Sequence, residues 1–206
     1  MQLGLQLVLV QQSLTTRRDN NLLEYDYVKF DKFVPDHVCD TLINVFGDWK
    51  QGKVQSEFDQ NDIKKIRDCE ISWISNHFWL SSFYKIMIDA NVSSGLNFNI
   101  KGVENMQLTR YNAPSGHYDF HMDGNGYFST RDDGLVRKLS MTCLLNDPKD
   151  FEGGNFMFRA SNEEYSVDLN KGDVIIFPSY LLHKVSQITK GSRYSLVVWA
   201  LGEPLR

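Results

Sequence analysis

The stretch YNAPSGHYDFHMDGNGYF, residues 111–128, sets His121 and Asp123 two apart among aromatic residues and closes on glycines at 124 and 126. A lone His-x-Asp carries little, because a chain with 5 histidines and many aspartates produces one readily by chance. Its setting carries more. HYDFHMD is β-type sequence, bounded by Gly116 on one side and by Gly124 and Gly126 on the other. Residues i and i+2 of a strand share a face. The reading therefore expects His121 and Asp123 to aim one imidazole and one carboxylate at a common point. A third ligand has to come from elsewhere.

After Asp123 the chain holds one more histidine, His183, in FPSYLLHKVSQI, just past the apolar run DVIIFP. Two histidines and one carboxylate form the facial triad of non-haem Fe(II) oxygenases. Two neutral imidazoles and one anion hold Fe(II) and leave three positions open, enough for a bidentate 2-oxoacid and O₂. Such a co-substrate needs its far carboxylate anchored. A final strand expected to begin at Arg193 places Arg193, Ser195, Val197 and Trp199 on one face. A guanidinium on that wall suits bidentate carboxylate recognition. The competing reading is a satisfied polar cluster in the core, with Arg193 in a surface ion pair.

Further out, 206 residues fit one domain, 1–206, with a sizeable core. Hydrophobic residues at 42% and charged residues at 23% are ordinary for a soluble globule. The net charge of −4 and the lack of a basic block argue against nucleic acid as the partner. Cys39, Cys69 and Cys143 are odd in number and widely spaced, so free thiols in a reducing compartment are expected. The opening MQLGLQLVLVQQ is too short to span a bilayer and lacks a charged head. It reads as a β-strand, and the expected location is the cytoplasm, with no membrane association.

VPDHVCDTLINVFGDW carries Val38, Leu42, Ile43 and Phe46 at helical spacing. SNHFWLSSFYKIMIDANVSSG reads as a second helix, with Ser75 or Asn76 as its cap and Gly95 past its end. From about residue 98 the pattern becomes short strands: NIKGVENMQLTRY, HYDFHMD, KLSMTCLL, GGNFMFRA, EYSVDL, DVIIFP, LLHKVSQI and RYSLVVWAL. The expected fold is α+β. Residues 98–206 form a jelly roll (double-stranded β-helix), and residues 1–97 supply an N-terminal strand and helices packed outside.

Residues 107–200 resemble the Fe(II)/2-oxoglutarate dioxygenases of prolyl 4-hydroxylase type. QLTRYNAPSGHYDFHMD is similar to that family's Tyr, Gly and Tyr leading into H-x-D. LSMTCLLNDPKDFEGGNF resembles its strand, Asn-Asp loop and Gly-Gly segment. KGDVIIFPSYLLHKVSQITKGSRYSLVVW resembles its Gly-Asp strand, distal His, basic-Gly turn, and Arg ten residues beyond that His. IKKIRDCEISWI resembles a groove segment of the hypoxia-inducible-factor prolyl hydroxylases, with Arg67 and Trp73 matching and Cys69 where those enzymes carry an acid. Leu144 replaces a co-substrate tyrosine of those enzymes, which leaves Tyr111 as the expected hydroxyl donor.

The resemblance implies His121, Asp123 and His183 as catalytic metal ligands for Fe(II). It implies Arg193 and Tyr111 as contacts of 2-oxoglutarate, and Tyr118, Trp199 and Arg67 as substrate contacts. It implies ascorbate as reductant and hydroxylation of an unactivated C–H bond, foremost a prolyl residue of a protein or peptide. A free amino acid or other small molecule is the alternative substrate, and a non-catalytic metal-binding jelly-roll module is the alternative class. Monomer and homodimer are both compatible with the sequence. His37, His77 and His117 are expected at the surface, and Asp132-Asp133-Gly134 in a turn.

Overall fold

The structure is a computed structural model and describes residues 14–16, 27–46, 48–52, 60–124, 126–128 and 131–205. The strand expected within residues 1–12 lies outside these. In chain order the elements are β1 (Leu14–Thr16), β2 (Val28–Phe30), α1 (Asp36–Val45), β3 (Lys50–Gln51), α2 (Gln60–Ile66), β4 (Arg67–Asp68), β5 (Glu70–Ile74) and α3 (His77–Ser93). There follow β6 (Ile100–Val103), β7 (Met106–Asn112), β8 (His117–His121), β9 (Val136–Leu144), β10 (Phe151–Gly153), β11 (Phe156–Ala160) and β12 (Glu163–Val167). The chain closes with β13 (Val174–Pro178), β14 (Leu182–Val185) and β15 (Ile188–Gly202).

Both expected helices form, each for a local reason. In α1, Val38, Cys39 and Leu42 are buried on one stripe. In α3, Trp79, Phe83, Ile86, Met87 and Ala90 recur at helical spacing and are buried. The Asn76 side chain caps α3 by accepting from Phe78 N at 3.1 Å and Trp79 N at 3.2 Å. Gly95, at φ +77°, lets the chain leave the helix.

The larger sheet runs β1-β2-β13-β9-β15-β7-β5-β3, with β6 and β10 also pairing β15. The smaller runs β12-β11-β14-β8-β4. The architecture is two mostly antiparallel sheets with few helices, as expected of a jelly roll. Alternation along the larger sheet separates two interiors. One face carries Leu108, Met141, Cys143, Val174, Leu196 and Val198 into a cluster shared with Leu42, Phe83 and Met87 of the helices. The other faces the smaller sheet, where Phe156, Phe158, Ile175, Phe177 and Val185 pack together.

Two expectations are corrected. NIKGVENMQLTRY is two strands, β6 and β7, both paired with β15 but against different stretches of it. The last strand begins at Ile188 rather than Arg193. Its first residues are held by β10, through Phe151↔Gly191 and Glu152↔Lys190, so the expected basic-Gly turn lies inside the strand. IRDCEISWI, quoted above only for its resemblance, supplies β4 at the edge of the smaller sheet and β5 between β7 and β3 of the larger. The Asp132–Gly134 turn is present, with Leu135 N donating to Asp133 Oδ1 at 3.0 Å. Among the described residues no helix is long and apolar enough to cross a membrane.

Removing the α3 cap tests the local account. Asn76→Ala is expected to cost about 1 kcal/mol and to lower the midpoint of thermal unfolding, followed by circular dichroism, by about 2–4 °C.

Candidate active site

His121, Asp123 and His183 offer ligand atoms that all lie within 4.8 Å of one another. His121 Nε2 is 3.7 Å from Asp123 Oδ1, and His183 Nε2 is 3.6 Å from Asp123 Oδ2. The two histidines face each other across the pairing of β14 with β8, His183↔His121. Each Nδ1 lies against a backbone carbonyl two residues back: His121 to Asp119 O at 2.8 Å, His183 to Leu181 O at 2.9 Å. A carbonyl only accepts, so each Nδ1 carries the proton and each Nε2 keeps its lone pair for a metal. Burial, then the neighbouring His183, push the His121 imidazole down to about 3, and it is neutral at physiological pH. Burial alone would raise Asp123, but His183, His121, Arg137 and Ser140 outweigh it and hold the carboxyl at about 2. The donor set of two imidazoles and one carboxylate therefore fits Fe(II) in composition.

Strand parity does not place Asp123, contrary to expectation. β8 ends at His121, and Asp123 stands in the turn beyond it. The turn is held by Ser179, whose carbonyl accepts from Asp123 N at 2.9 Å and Gly124 N at 3.1 Å. Ser140 Oγ donates to Asp123 Oδ2 at 2.6 Å and meets Ser179 Oγ at 2.9 Å. One carboxylate oxygen is thus tied back, and Oδ1 is left for a metal.

Parity would also put Tyr118 opposite His121, and here a bulge intervenes. The step from His183 to Val185 on β14 matches the longer step from His121 to Tyr118 on β8. The extra residue turns Tyr118 onto the metal side, where its ring stacks on His121 with centroids 3.4 Å apart. Arg67, opposite Tyr118 on β4, also lies over that ring, its Cζ 4.6 Å from the centroid. Arg67 Nε donates to Cys69 Sγ at 2.9 Å. Burial raises the Cys69 thiol despite Arg67, so the acceptor is the neutral thiol. On the other side of the triad, Phe177 and Phe156 pack against His183, at 4.8 and 5.6 Å between centroids.

The inward face of the larger sheet forms the floor of the site, and its register sorts the floor into rungs. Trp199–Ser140–Phe177 is the rung beneath Asp123. Next comes Trp73–Gln107–Val197–Thr142, then Ile71–Thr109–Ser195–Leu144, then Tyr111–Arg193. Arg193 is 2% exposed and has no carboxylate partner among the described residues. Burial depresses its guanidinium. Its Cζ is 5.9 Å from the Tyr111 ring, and burial pushes the Tyr111 phenol up, so that hydroxyl is protonated. Gly154, at φ +64°, leaves room for this arginine, since a Cβ there would press on Arg193 Cδ at 3.0 Å and collide with Ile188. Lys190, by contrast, is exposed and paired with Glu152.

A cleft of about 1200 Å³ opens over the triad and is lined by Arg67, Tyr118, Thr109, Thr142, Trp73 and Trp199, among others. Arg193 and Tyr111 do not line this open volume; they form the next rung behind its inner end. At the mouth, Trp73 stands 6.0 Å from Trp199, and Arg137 covers the Trp199 ring at 3.7 Å. Arg137 is fixed by a two-pronged pair with Glu104, which also binds Arg131. His37 and His77 are exposed. His117 is half-buried, with its ring nitrogens against Ser115 O and Lys65 O.

The profile of the 2OG-Fe(II) oxygenase superfamily matches residues 106–201, the stretch that holds the triad and Arg193. A PKHD-type hydroxylase of Herminiimonas arsenicoxydans is 31% identical over 161 residues, 74% of this chain and 67% of that protein. The chain belongs to the 2OG-Fe(II) oxygenase superfamily. A PKHD-type hydroxylase of Idiomarina loihiensis is 34% identical over a shorter match, 48% of this chain and 43% of that protein. Among solved structures, a viral collagen prolyl hydroxylase from Paramecium bursaria Chlorella virus-1 superposes with a TM-score of 0.63. The two share 20% identity over 86% of this chain and 96% of that one. A Pseudomonas putida prolyl-4-hydroxylase gives 0.62 at 22% identity, over 85% of this chain and 92% of that one. The protein is a 2-oxoglutarate-dependent dioxygenase similar to the PKHD-type hydroxylases, and the superfamily implies Fe(II) and 2-oxoglutarate as its metal and co-substrate.

The residues that sequence reasoning missed are the supports: Ser140, Ser179, Arg137 and Glu104. A signal for the first was present, because KLSMTCLL puts Ser140 and Thr142 on alternate positions of a strand that is buried throughout. Ser140→Ala is expected to weaken metal affinity by about 10- to 100-fold, the usual cost of losing a ligand's supporting hydrogen bond. A Mn(II) titration with unchanged affinity would show that Asp123 needs no such tether.

Proposed function

We propose that the protein hydroxylates an unactivated C–H bond of a prolyl residue in a protein or peptide. His121, Asp123 and His183 hold Fe(II), and Arg193 holds the far carboxylate of 2-oxoglutarate. When bound, the iron and co-substrate supply the oxidising power. Hydroxylation consumes O₂ and 2-oxoglutarate, releases succinate and CO₂, and places one oxygen atom on the substrate, with ascorbate keeping the iron reduced. The protein's own part is geometric. The backbone carbonyls at 119 and 181 orient the two imidazoles, and the Ser140–Ser179 pair turns Asp123. Phe156 and Phe177 keep water from the His183 side.

The observation that carries the substrate class is the form of the cleft. At about 1200 Å³ it exceeds the usual small-ligand pocket of roughly 300–1,000 Å³. Its lining includes the exposed apolar side chains Trp73, Met122 and Phe128. Such a mouth suits a chain laid across it better than a small molecule enclosed within it. A prolyl hydroxylase of Trichoplax adhaerens bound to a hypoxia-inducible-factor peptide shares the fold, with a TM-score of 0.67 at 19% identity over 85% of this chain and 83% of that one. Arg67 and Tyr118 on one side and Trp199 on the other are the substrate-binding walls in this reading.

Incubating the Fe(II) protein with 2-oxoglutarate and a proline-rich peptide library tests the proposal by mass spectrometry. The expected product is a peptide one oxygen heavier on a prolyl residue. Turnover of free proline with every peptide untouched would move the substrate to the small-molecule class. Arg193→Ala is expected to act on the co-substrate alone. Losing a charge-assisted, two-pronged pair costs on the order of 2–5 kcal/mol, roughly a thirtyfold to several-thousandfold rise in the 2-oxoglutarate dissociation constant. Iron affinity should hold, and parallel titrations of metal and co-substrate separate the two.

A further inference from the structure

Two side-chain polar atoms are buried without a hydrogen-bond partner among the described residues: Thr109 Oγ1 and Trp199 Nε1. Both residues line the cleft over the triad. A buried hydroxyl left unsatisfied is costly and uncommon. One such hydroxyl and one indole N–H on the wall of one cavity indicate that the wall is built to be completed by a ligand. Trp199 belongs to the substrate wall already described. Thr109 does not, and its place in the sheet is different.

On β15 the order from the metal inward is Trp199, Val197, Ser195, Arg193, all on one face. Ser140, the tether of Asp123, is across from Trp199, and Thr109 is across from Ser195. A dicarboxylate reaching from the metal to Arg193 therefore crosses the rung Thr109–Ser195–Leu144. On that rung Leu144 offers no hydrogen bond, and it stands where a tyrosine hydroxyl is expected from the resemblance. Thr109, 1% exposed, offers a hydroxyl with nothing to bond. Its neighbour along β7 on the same face is Tyr111, which pairs with Arg193 itself.

We propose that Thr109 is a 2-oxoglutarate-binding residue, whose Oγ1 donates, alongside the Tyr111 hydroxyl, to the carboxylate that Arg193 anchors, on the rung where Leu144 offers no donor. This rests on the reading of Arg193 as the anchor and adds a second neutral donor from the opposite side of β15.

The test uses the full chain loaded with Mn(II) in place of Fe(II), without O₂, so that binding is read apart from turnover. Dissociation constants for 2-oxoglutarate and for 2-oxovalerate, which has the same chain length but no far carboxylate, are measured by calorimetry. The proteins are wild type, Thr109→Val, Thr109→Ser and Arg193→Ala. Thr109→Val is expected to weaken 2-oxoglutarate about tenfold, the scale of one hydrogen bond to a charged group. It should leave 2-oxovalerate unchanged, and Thr109→Ser should restore most of the loss. The metal-free Val variant should melt about 2–4 °C higher than wild type, because an unsatisfied buried hydroxyl has been removed. A hydroxyl serving the fold would shift the melting point downward instead, and that result overturns the proposal, as does an unchanged 2-oxoglutarate constant. If Arg193→Ala binds 2-oxoglutarate as wild type does, the anchor reading fails too. If only Thr109→Val is silent, the anchor stands and Thr109 falls. Should the Val variant not fold, Thr109→Ala against Thr109→Ser carries the same comparison.

Discussion

At the metal end, one antiparallel register sets His183 of β14 across from His121 of β8 and brings their rings to 4.2 Å between centroids. A slip by one residue would send one imidazole to the outer face of the sheet. The aromatic core guards against that slip. His183 also pairs with Phe158 on its other side, and Phe156 and Phe177 flank its ring. Moving β14 would therefore unpack that cluster as well as the metal site. The bulge on β8 belongs to the same constraint, since it lets Tyr118 and His121 share a face that strict alternation would deny them.

The larger sheet shows how a polar interior is sustained. Its outward face is apolar and closes a single cluster with α1 and α3. Its inward face carries Gln107, Thr109, Ser140, Thr142, Ser195 and Arg193, all buried. Buried polar groups are costly unless bonded, and a buried cation more so. The fold can bear that face because the opposite face, with the helices behind it, supplies hydrophobic burial independent of the site. Stability and binding are thus assigned to opposite sides of the same strands, residue by alternate residue.

Much of this was legible because the relevant rules are local. The α3 cap, the periodicity of both helices and most strands of the second half follow from residue type and spacing. The His-x-Asp with a distal histidine and an arginine ten residues on points to the chemistry before any geometry is known. What was not legible depends on pairing. Nothing local indicates that Asp123 is oriented by the carbonyl of Ser179, which is distant in sequence. The bulge at Asp119–Phe120 is set by what β14 and β4 require on either side of β8. IRDCEISWI is too mixed in character to read as strand, and it becomes two because β8 takes it up at the edge of the smaller sheet and β7 and β3 hold it between them in the larger. Polar residues at alternate positions of otherwise buried strands were the one missed signal that a sequence does carry.

The burial of Arg193 explains why the floor is arranged as it is. A guanidinium on a flexible exposed stem would have to be ordered by each incoming anion, at a cost in side-chain entropy. Here the stem is confined beside Gly154 and the Tyr111 ring lies next to the head group before any ligand arrives. The cost is transferred to the fold itself, in which Arg193 is buried with no carboxylate partner among the described residues. An anion that binds there relieves an existing penalty as well as forming new bonds, so its differential affinity for the folded state is large and stabilises the fold by mass action. If Arg193 anchors the co-substrate as proposed, the same logic gives the cleft its selectivity. A ligand lacking the far carboxylate can reach the metal, but it leaves the buried charge unmatched, and the unmatched group discriminates more strongly than any steric fit.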